Sequence, residues 1–137
     1  MKQFSTKWKQ SKKPRKQRKY RYNAPLHIKG KFLHSHLSKE LRKKYGTRAI
    51  RVRKGDKVRV MRGQFRKREG RVQRVDIKNC RVYIENIDQV KKDGSKTFYP
   101  IHPSNLMVIE LNLDDKKRVL KLDKFAKADN TKMRVTK

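Results

Sequence analysis

The sequence predicts a mainly β protein: a small antiparallel barrel, preceded by helical segments and a basic N-terminal arm and followed by a short C-terminal helical tail. Apolar residues in the central part recur at every second position, as strands require. Upstream, apolar residues recur at helical spacing, and the first residues carry many cations and little core material. The expected regions are a basic arm at 1–22, a helical extension at 23–47, the barrel at 48–111, and a C-terminal helix and tail at 112–137.

The N-terminal arm is defined by its charge, because residues 2–21 contain ten Lys or Arg and no acid. Such a segment buries too little apolar surface to offset its ordering entropy, so we expect it to be disordered when free and to order on a partner. Trp8, Tyr20 and Tyr22 interleave with the cations. Their rings suit stacking on unpaired bases of RNA or, alternatively, packing on the neighbouring domain.

Two helices are predicted in the extension. The first has Pro25 in its opening turn and is interrupted by Gly30. The second begins with Ser38 as N-cap and ends with Gly46 as C-cap. Its apolar stripe, expected to dock on the barrel, consists of Leu37, Leu41 and Tyr45. The cations turned outward are Lys39, Arg42, Lys43 and Lys44.

Five apolar runs with strand periodicity supply the expected barrel. The three-residue step from Val72 to Val75 predicts a bulge or a strong bend. Curling into a barrel disposes of exposed strand edges. The runs are Val58 and Val60; Val72, Val75 and Ile77; Val82 and Ile84; Phe98 and Ile101; and Met107, Ile109 and Leu111.

After the barrel, a short helix is predicted from the order of its charges. Asp114 and Asp115 precede Lys116, Lys117 and Arg118, and acids stabilise the start of a helix whereas bases stabilise its end. A frayed tail is expected after about residue 125.

The formal net charge of +30, from 42 Lys and Arg against 12 Asp and Glu, points to a polyanionic partner. Self-repulsion at this charge works against compaction, whereas phosphates that neutralise Lys and Arg release counterions and favour binding. Nucleic acid is therefore the expected partner, in preference to a solvated basic face without one. No apolar stretch approaches the ~20 residues of a spanning helix, and no signal peptide is recognisable, so we expect an intracellular protein that does not insert into a membrane.

Residues suited to catalysis or metal binding are sparse. His34 and His36 have no Cys or acid at ligand spacing, His27 and His102 are isolated, and Cys80 is the single cysteine. The sequence contains no phosphate-binding glycine loop and no nucleophile motif. We therefore expect no enzymatic activity, no cofactor, no metal and no small-molecule substrate.

The segment from Gly55 to Val60, followed by Arg62-Gly63, a basic loop and residues 70–75, resembles the KOW motif, which ribosomal proteins and transcription elongation factors share. The flanking segments are similar to those of the universal large-subunit ribosomal protein twenty-four family, in its archaeal and eukaryotic form, called twenty-six in eukaryotes. These segments are NAPLHIKGKFL (23–33), LSKELRKKYG (37–46) and IHPSNLMVIEL (101–111). The resemblance covers roughly residues 15–120.

The resemblance implies an SH3-like barrel that binds the 5′ region of large-subunit ribosomal RNA, acts early in subunit assembly and lies near the nascent-chain exit. The implied partners are that RNA and neighbouring large-subunit proteins. The implied location is the cytoplasmic ribosome, with a nuclear or nucleolar assembly stage in a eukaryote. The alternative is a KOW-type transcription elongation factor or another basic nucleic-acid-binding module. Lys67 stands where family members commonly have glycine, so we expect the loop to follow a different turn.

The residues expected to contact RNA lie on the arm and the hairpin loop, with further contacts from the second helix and from a polar turn. The cations are expected to contact phosphates, and Gln64 and Phe65 to approach a sugar or an unpaired base, unless Phe65 folds back onto the barrel. The arm and helix residues are Lys12, Lys13, Arg15, Lys16, Arg18, Lys19, Tyr20, Arg21, Arg42, Lys43 and Lys44. The loop and turn residues are Arg62, Gln64, Phe65, Arg66, Lys67, Arg68, Arg71, His102 and Ser104.

Overall fold

The structure, a computed structural model, describes the backbone of residues 4–135 and the side chains of residues 4–126. Within these residues, a six-stranded mixed sheet, a separate two-stranded ribbon and four α-helices form the fold. The strands are β1 (His34–Leu37), β2 (Ala49–Arg51), β3 (Lys57–Val60), β4 (Glu69–Asp76), β5 (Arg81–Ile84), β6 (Asp88–Val90), β7 (Lys96–Phe98) and β8 (Leu106–Glu110). The helices are α1 (Pro14–Asn23), α2 (Leu26–Lys29), α3 (Lys39–Tyr45) and α4 (Lys116–Val135). Short 3-10 helices lie at Thr6–Gln10, Gly30–Leu33 and Pro103–Asn105.

The large sheet is open, so the predicted closed SH3-like barrel is not found. Its strand order is β2-β1-β8-β3-β4-β5, and β6 and β7 pair only with each other as the ribbon. Strand β8 pairs antiparallel with β3 on one side and parallel with β1 on the other. Because β1 occupies the second edge of β8, that edge is not available to close a barrel, and the sheet continues outward to β2.

The core lies on the sheet, and most of the predicted strand residues supply it. Val58, Val60, Val72, Val82 and Ile84 are buried, as their alternation predicts. The pairing of β4 with β5 shifts register between Val72 and Arg74, which confirms the expected irregularity.

Three of the predicted core positions are wrong. In β8 the buried side chains are Leu106 and Val108, not the Met107 and Ile109 of the predicted run, because four successive apolar residues leave the inward face undecided by periodicity. Phe98 lies on the ribbon and is 38% exposed.

The helical extension contains a strand that sequence periodicity did not predict. Helix α2 gives way to a 3-10 helix at Gly30, and β1 follows, so that Leu37 is a buried strand residue and not part of a helical stripe. The second predicted helix is confirmed as α3: the hydroxyl of Ser38 accepts a hydrogen bond from the amide of Leu41 at 3.3 Å. Gly46 ends it with φ of 58°, a conformation that favours glycine.

The N-terminal arm is folded from Phe4 onward, which corrects the expectation of a disordered segment; residues 1–3 lie outside the described part of the chain. The side-chain amide Nε2 of Gln17 donates to the carbonyls of Lys9 and Ser11, at 3.0 and 2.7 Å, and ties the 3-10 helix to α1. Tyr20 is buried. The centroid of its ring lies 5.2 Å from that of Phe4 and 6.1 Å from that of Phe32, which belongs to the helical extension. Aromatic contacts between segments distant in sequence therefore supply the apolar surface that the arm lacks by itself.

Helix α4 is 20 residues long, so the prediction of a short helix fraying after about residue 125 is wrong about its length. Residues 116–135 contain neither glycine nor proline, and nothing local ends the helix there. The acids at its start behave as predicted, since the Asp115 carboxylate accepts the amide of Lys117 at 2.9 Å. Leu122 packs into the core, and residues 136 and 137 of the predicted tail lie outside the described residues.

A buried ion pair joins α4 to the turn before β3. Asp56 and Arg118 are 0% and 4% exposed, and the guanidinium contacts the carboxylate through two bonds of 2.6 and 2.8 Å. The same carboxylate accepts the amides of Arg53 and Asn112 at 2.8 and 2.9 Å. Bidentate geometry and full use of the carboxylate oxygens offset the cost of removing two charges from water.

Breaking this pair is expected to lower the free energy of unfolding by about 3–5 kcal/mol, because the remaining partner is left buried and unpaired. Arg118→Met and Asp56→Asn test this by urea unfolding followed by circular dichroism. Glu110→Gln is the matched control, since Glu110 pairs with Lys57 at 3.1 Å in an exposed position where ion pairs contribute little. A loss for Asp56→Asn no larger than that of the control would contradict this account of the pair.

Candidate nucleic-acid interface

The hairpin loop between β3 and β4 is shaped by a bulge at Lys67. The amide of Lys67 donates to the carbonyl of Val60 at 2.8 Å, and the amide of Val60 donates to the carbonyl of Arg68 at 2.9 Å, so two residues of one strand oppose one of the other. Lys67 has φ of 71°, the left-handed conformation that glycine adopts at least cost. The expectation of a different turn is therefore wrong: Lys67 takes up the glycine-like conformation itself.

The loop is held against the core by an aromatic contact. Phe65 is half-buried, and its ring centroid lies 5.2 Å from that of Tyr99. The guanidinium of Arg68 lies over the Phe65 ring at 5.4 Å. Phe65 thus folds back onto the domain and fixes the loop, while the cationic tips around it stay exposed. These exposed loop residues are Arg62, Gln64, Arg66, Lys67 and Arg68.

The predicted polar turn is tied to the same hairpin. The amide of Met61 donates to the carbonyl of Asn105 at 2.8 Å, and the hydroxyl of Ser35 donates to the carbonyl of Pro103 at 2.7 Å. Within the turn, Nδ1 of His102 lies 2.8 Å from the hydroxyl of Ser104 and accepts the Ser104 amide at 3.3 Å. The turn therefore presents His102 and Ser104 from a backbone anchored at both the hairpin and β1.

Two clefts bring these predicted surfaces together. The loop cleft, of about 400 Å³, lies between the hairpin loop and the turn; its polar lining residues include Arg62, Gln64, Arg81 and His102. The arm cleft, of about 480 Å³, lies between α1 and the turn; its polar lining residues include Arg18, Arg21, Lys29, Arg81 and His102. Arg81 and His102 line both clefts, so the arm, the turn and the loop form one continuous basic surface.

Cations surround His102 in this surface. Burial of the ring lowers the pKa of His102, and the positive charges of Arg81 and Arg21 lower it further. The neutral imidazole is consistent with Nδ1 accepting the Ser104 amide. The same cations are thus crowded together in the free protein, which is the arrangement that a bound polyanion relieves.

Several predicted contacts lie away from the two clefts. Arg42, Lys43 and Lys44 project from α3, which packs against α4, and Nε of Arg42 donates to the carbonyl of Leu37 at 2.7 Å. Arg71 is exposed on β4 opposite Lys57 and lines neither cleft. The predicted arm cations that are exposed outside the arm cleft are Lys12, Lys13, Arg15, Lys16 and Lys19. The ring of Tyr20 is buried and is not presented to a partner.

Arg81 and Lys29 line the clefts without having been predicted as contacts. Arg81 follows a turn closed by the Asp76 carboxylate, which accepts the amide of Asn79 at 3.1 Å. The backbone amide and side chain of Asn79 lower the pKa of Asp76 and keep it ionised. Residue 81 meets α1 and the turn only through tertiary packing, and its immediate sequence carries no signal of that position.

The site offers charge and shape and no sign of other chemistry. Among the side chains of residues 4–126, no three His, Cys, Asp or Glu residues come together in a way that suits a metal ion. No helix within the described backbone has the length and apolar character needed to cross a bilayer. The arrangement is suited to binding the backbone of a polyanion.

The fold is a mixed sheet that carries a basic surface, and comparison with known proteins specifies the family. Residues 11–124 match the family of ribosomal proteins described as L26 in eukaryotes and L24 in archaea. The chain is also 50% identical over 108 residues to the large ribosomal subunit protein uL24 of Methanosphaera stadtmanae, an alignment covering 79% of this chain and 92% of that protein. The chain therefore belongs to this family of ribosomal proteins, which confirms the resemblance seen in the sequence.

Replacing Lys67 with glycine is expected to raise the free energy of unfolding by roughly 0.5–1 kcal/mol, because glycine tolerates positive φ without the steric cost of a Cβ atom. Urea unfolding of Lys67→Gly measures the gain. Lys67→Gln is the control, since it removes the same charge and keeps the Cβ atom. Equal gains for both variants would assign the effect to charge repulsion and contradict the role given to φ.

Proposed function

We propose that this chain is a structural constituent of the large ribosomal subunit, where it binds and organises the subunit's RNA. Family membership supports the ribosomal role. The observation that carries the RNA-binding proposal is the convergence of arm, turn and loop on Arg81 and His102. The resemblance adds that the RNA segment is the 5′ region, that binding occurs early in assembly, and that the site lies near the nascent-chain exit.

The surface is suited to reading the RNA backbone. Double-helical RNA hides its base edges in a deep, narrow groove, so cations recognise phosphates and 2′-hydroxyls more readily than sequence. The loop presents Arg62, Arg66 and Arg68 at one end of the surface, and α1 presents Arg18 and Arg21 at the other. Two separate backbone segments bound at these ends would be held at a fixed spacing.

Rigidity is what allows such binding to organise RNA instead of merely coating it. Phe65 anchors the loop against Tyr99, and Tyr20 anchors the arm between two rings. Neither segment needs to lose all of its freedom when it binds, which lowers the entropic cost of association. The protein thus fixes the relative position of the RNA elements that bind at the loop end and the arm end of its basic surface.

The partners in this role are those that compensate the positive net charge of the chain. Ribosomal RNA neutralises the excess of +30, and neighbouring large-subunit proteins share the RNA scaffold. The place of action is the cytoplasmic ribosome, with a nuclear or nucleolar assembly stage if the source is a eukaryote. No catalytic step is part of this role.

Removing three loop cations is expected to make RNA binding less sensitive to salt. The slope of log K against log salt concentration should become shallower by about two, because each lost phosphate contact contributes ~0.7–0.9 to it. Arg66→Ala, Lys67→Ala and Arg68→Ala are combined in one variant, and its affinity for a large-subunit RNA 5′ fragment is measured between low and moderate salt. The matched control combines Lys116→Ala, Lys117→Ala and Lys124→Ala on α4, which removes the same charge from exposed positions outside the clefts and outside the predicted contacts.

The comparison between the two triple variants decides where the interface lies. A larger loss for the loop variant supports the surface formed by the loop and arm clefts, whereas equal losses would mean that binding is a diffuse effect of net charge. Co-sedimentation of the unsubstituted chain with large subunits in moderate salt tests the ribosomal role itself. Preferential retention by RNA polymerase or by DNA would instead favour the KOW-type alternatives.

RNA binding is expected to take up a proton at His102. In the free protein, burial and the charges of Arg81 and Arg21 lower its pKa; bound phosphates offset those charges, so its pKa rises in the complex. Affinity for RNA should therefore increase as the pH falls from 7.5 to 5.5. We expect protonation of His102 to contribute roughly threefold or more to this increase, since a rise of one unit in its pKa on binding corresponds to a tenfold change in the binding constant. His102→Gln should reduce the increase, and His27→Gln, at an exposed residue outside both clefts, should preserve it. Identical pH profiles for the two variants would refute the assignment.

A further inference from the structure

A third cleft lies beside the two-stranded ribbon and belongs to neither surface described above. It has a volume of about 1120 Å³ and lies between the ribbon, β4 and β5, and the segment after β2. We name it the ribbon cleft. Phe98 lines the ribbon cleft, Tyr99 lines the loop cleft and Pro100 lines both, so this segment forms the wall between the two clefts.

The floor of the ribbon cleft is apolar and aromatic. It is formed by Val75, Ile77, Tyr83, Phe98 and Pro100. Phe98 is 38% exposed, although a Phe side chain normally gains free energy from burial. In the register of the ribbon, Asp88 pairs with Phe98 and Val90 with Lys96, so Phe98 shares one face with Asp88, Val90 and Lys96. The exposed Phe98 ring is suited to stacking against a flat ligand group.

The rim of the ribbon cleft is cationic, and no Asp or Glu is among its described lining residues. Arg53 is already paired with Asp115, and the guanidinium of Arg51 packs closely against Gly30. Of the four cations that line the ribbon cleft, Lys54 and Arg74 are therefore the two that could contact a ligand.

Arg74 and Tyr83 form a preassembled stack at the edge of the floor. The guanidinium lies 4.3 Å from the centroid of the Tyr83 ring, within the range of a cation–π contact. Arg74 is thus an exposed cation held beside an aromatic surface. An apolar aromatic floor with a cation at its edge is the combination that proteins use to hold an unpaired nucleotide, because the base stacks and the phosphate binds the cation.

We propose that the ribbon cleft binds an unpaired nucleotide of ribosomal RNA, with its base on the floor at Phe98, beside the Arg74–Tyr83 stack, and its phosphate at Lys54 and Arg74. The proposal rests on the proposed function for the identity of the RNA. An acidic peptide would also suit the rim, but a flat base makes better use of an open aromatic floor and a stacked guanidinium. The protein would then hold a single-stranded element of the RNA in addition to the backbone segments bound at the arm and loop clefts.

A fluorescent probe tests the floor directly. The chain has one tryptophan, so Trp8→Phe combined with Phe98→Trp places the single indole in the ribbon cleft. A mixed-sequence single-stranded RNA octamer should quench this indole, whereas an abasic oligonucleotide with the same number of phosphates should not. Equal quenching by both would show that no base stacks there and would overturn the proposal. Quenching by a Glu-rich peptide but not by the octamer would also overturn it, in favour of a protein partner.

The rim is tested in the same probe background with two variants of equal charge change. Arg74→Gln should shift the quenching midpoint about tenfold towards higher octamer concentration, as expected for loss of one stacked, charged contact. Lys92→Gln, at an exposed position in the ribbon turn outside the cleft, should shift the midpoint less than about twofold, as expected for a distant charge. Equal shifts for the two variants would overturn the role of Arg74.

A measurement on the unsubstituted chain guards against disturbance by the introduced indole. Photocrosslinking to an octamer containing 4-thiouridine should modify peptides that contain Tyr83 or residues 96–101, and an absence of crosslinks there would overturn the proposal. Co-sedimentation with large subunits is scored separately. Retained co-sedimentation without quenching or crosslinks leaves the proposed function standing and removes only the ribbon site; the opposite result removes the ribosomal role and keeps a single-strand site.

Discussion

The buried pair of Asp56 and Arg118 is the interaction on which the rest of the fold depends. The Asp56 side chain joins three segments, the end of the β2–β3 connection, the chain at Asn112 and helix α4, and its backbone carbonyl accepts the amide of Val72 at 2.9 Å. The base of the β3–β4 hairpin is therefore fixed from both strands. A chain of this size with so much like charge has few apolar contacts to spare, so a charge pair in its centre needs geometry good enough to offset its desolvation.

The basic surface formed by the loop and arm clefts is rigid because it is built on this hairpin. With the hairpin base fixed, the loop is positioned by the bulge at Lys67 and by the contact of Phe65 with Tyr99. The turn carrying His102 is bonded to the same hairpin, and α1 closes the other side of the surface. Electrostatic repulsion among these cations is tolerated because it acts between anchored segments, which cannot relax apart without breaking buried contacts.

Sequence reasoning was most successful where the determinants are local. The cap at Ser38, the left-handed residue at Gly46 and the strand irregularity after Val72 follow from short-range chemistry and are confirmed. The open sheet, the parallel partner of β8, the folded arm and the length of α4 could not be predicted, because they depend on contacts between distant segments. Arg81 shows the same limit for the site, since an arginine among 42 cations carries no mark of the cleft it will line.

The open sheet also has a consequence for self-association of the chain. An unpaired edge strand is a template for pairing with a second copy; β2 is an edge strand, and its outward Arg51 carbonyl already accepts a hydrogen bond from the Arg118 guanidinium at 3.3 Å. Strand β2 is only three residues long, and the exposed cations Arg48 and Arg53 flank it. At the other end of the sheet, a bridge between Val82 and Ile101 covers part of β5. The short length of β2 and the cations at its ends therefore disfavour pairing with a second copy of the chain.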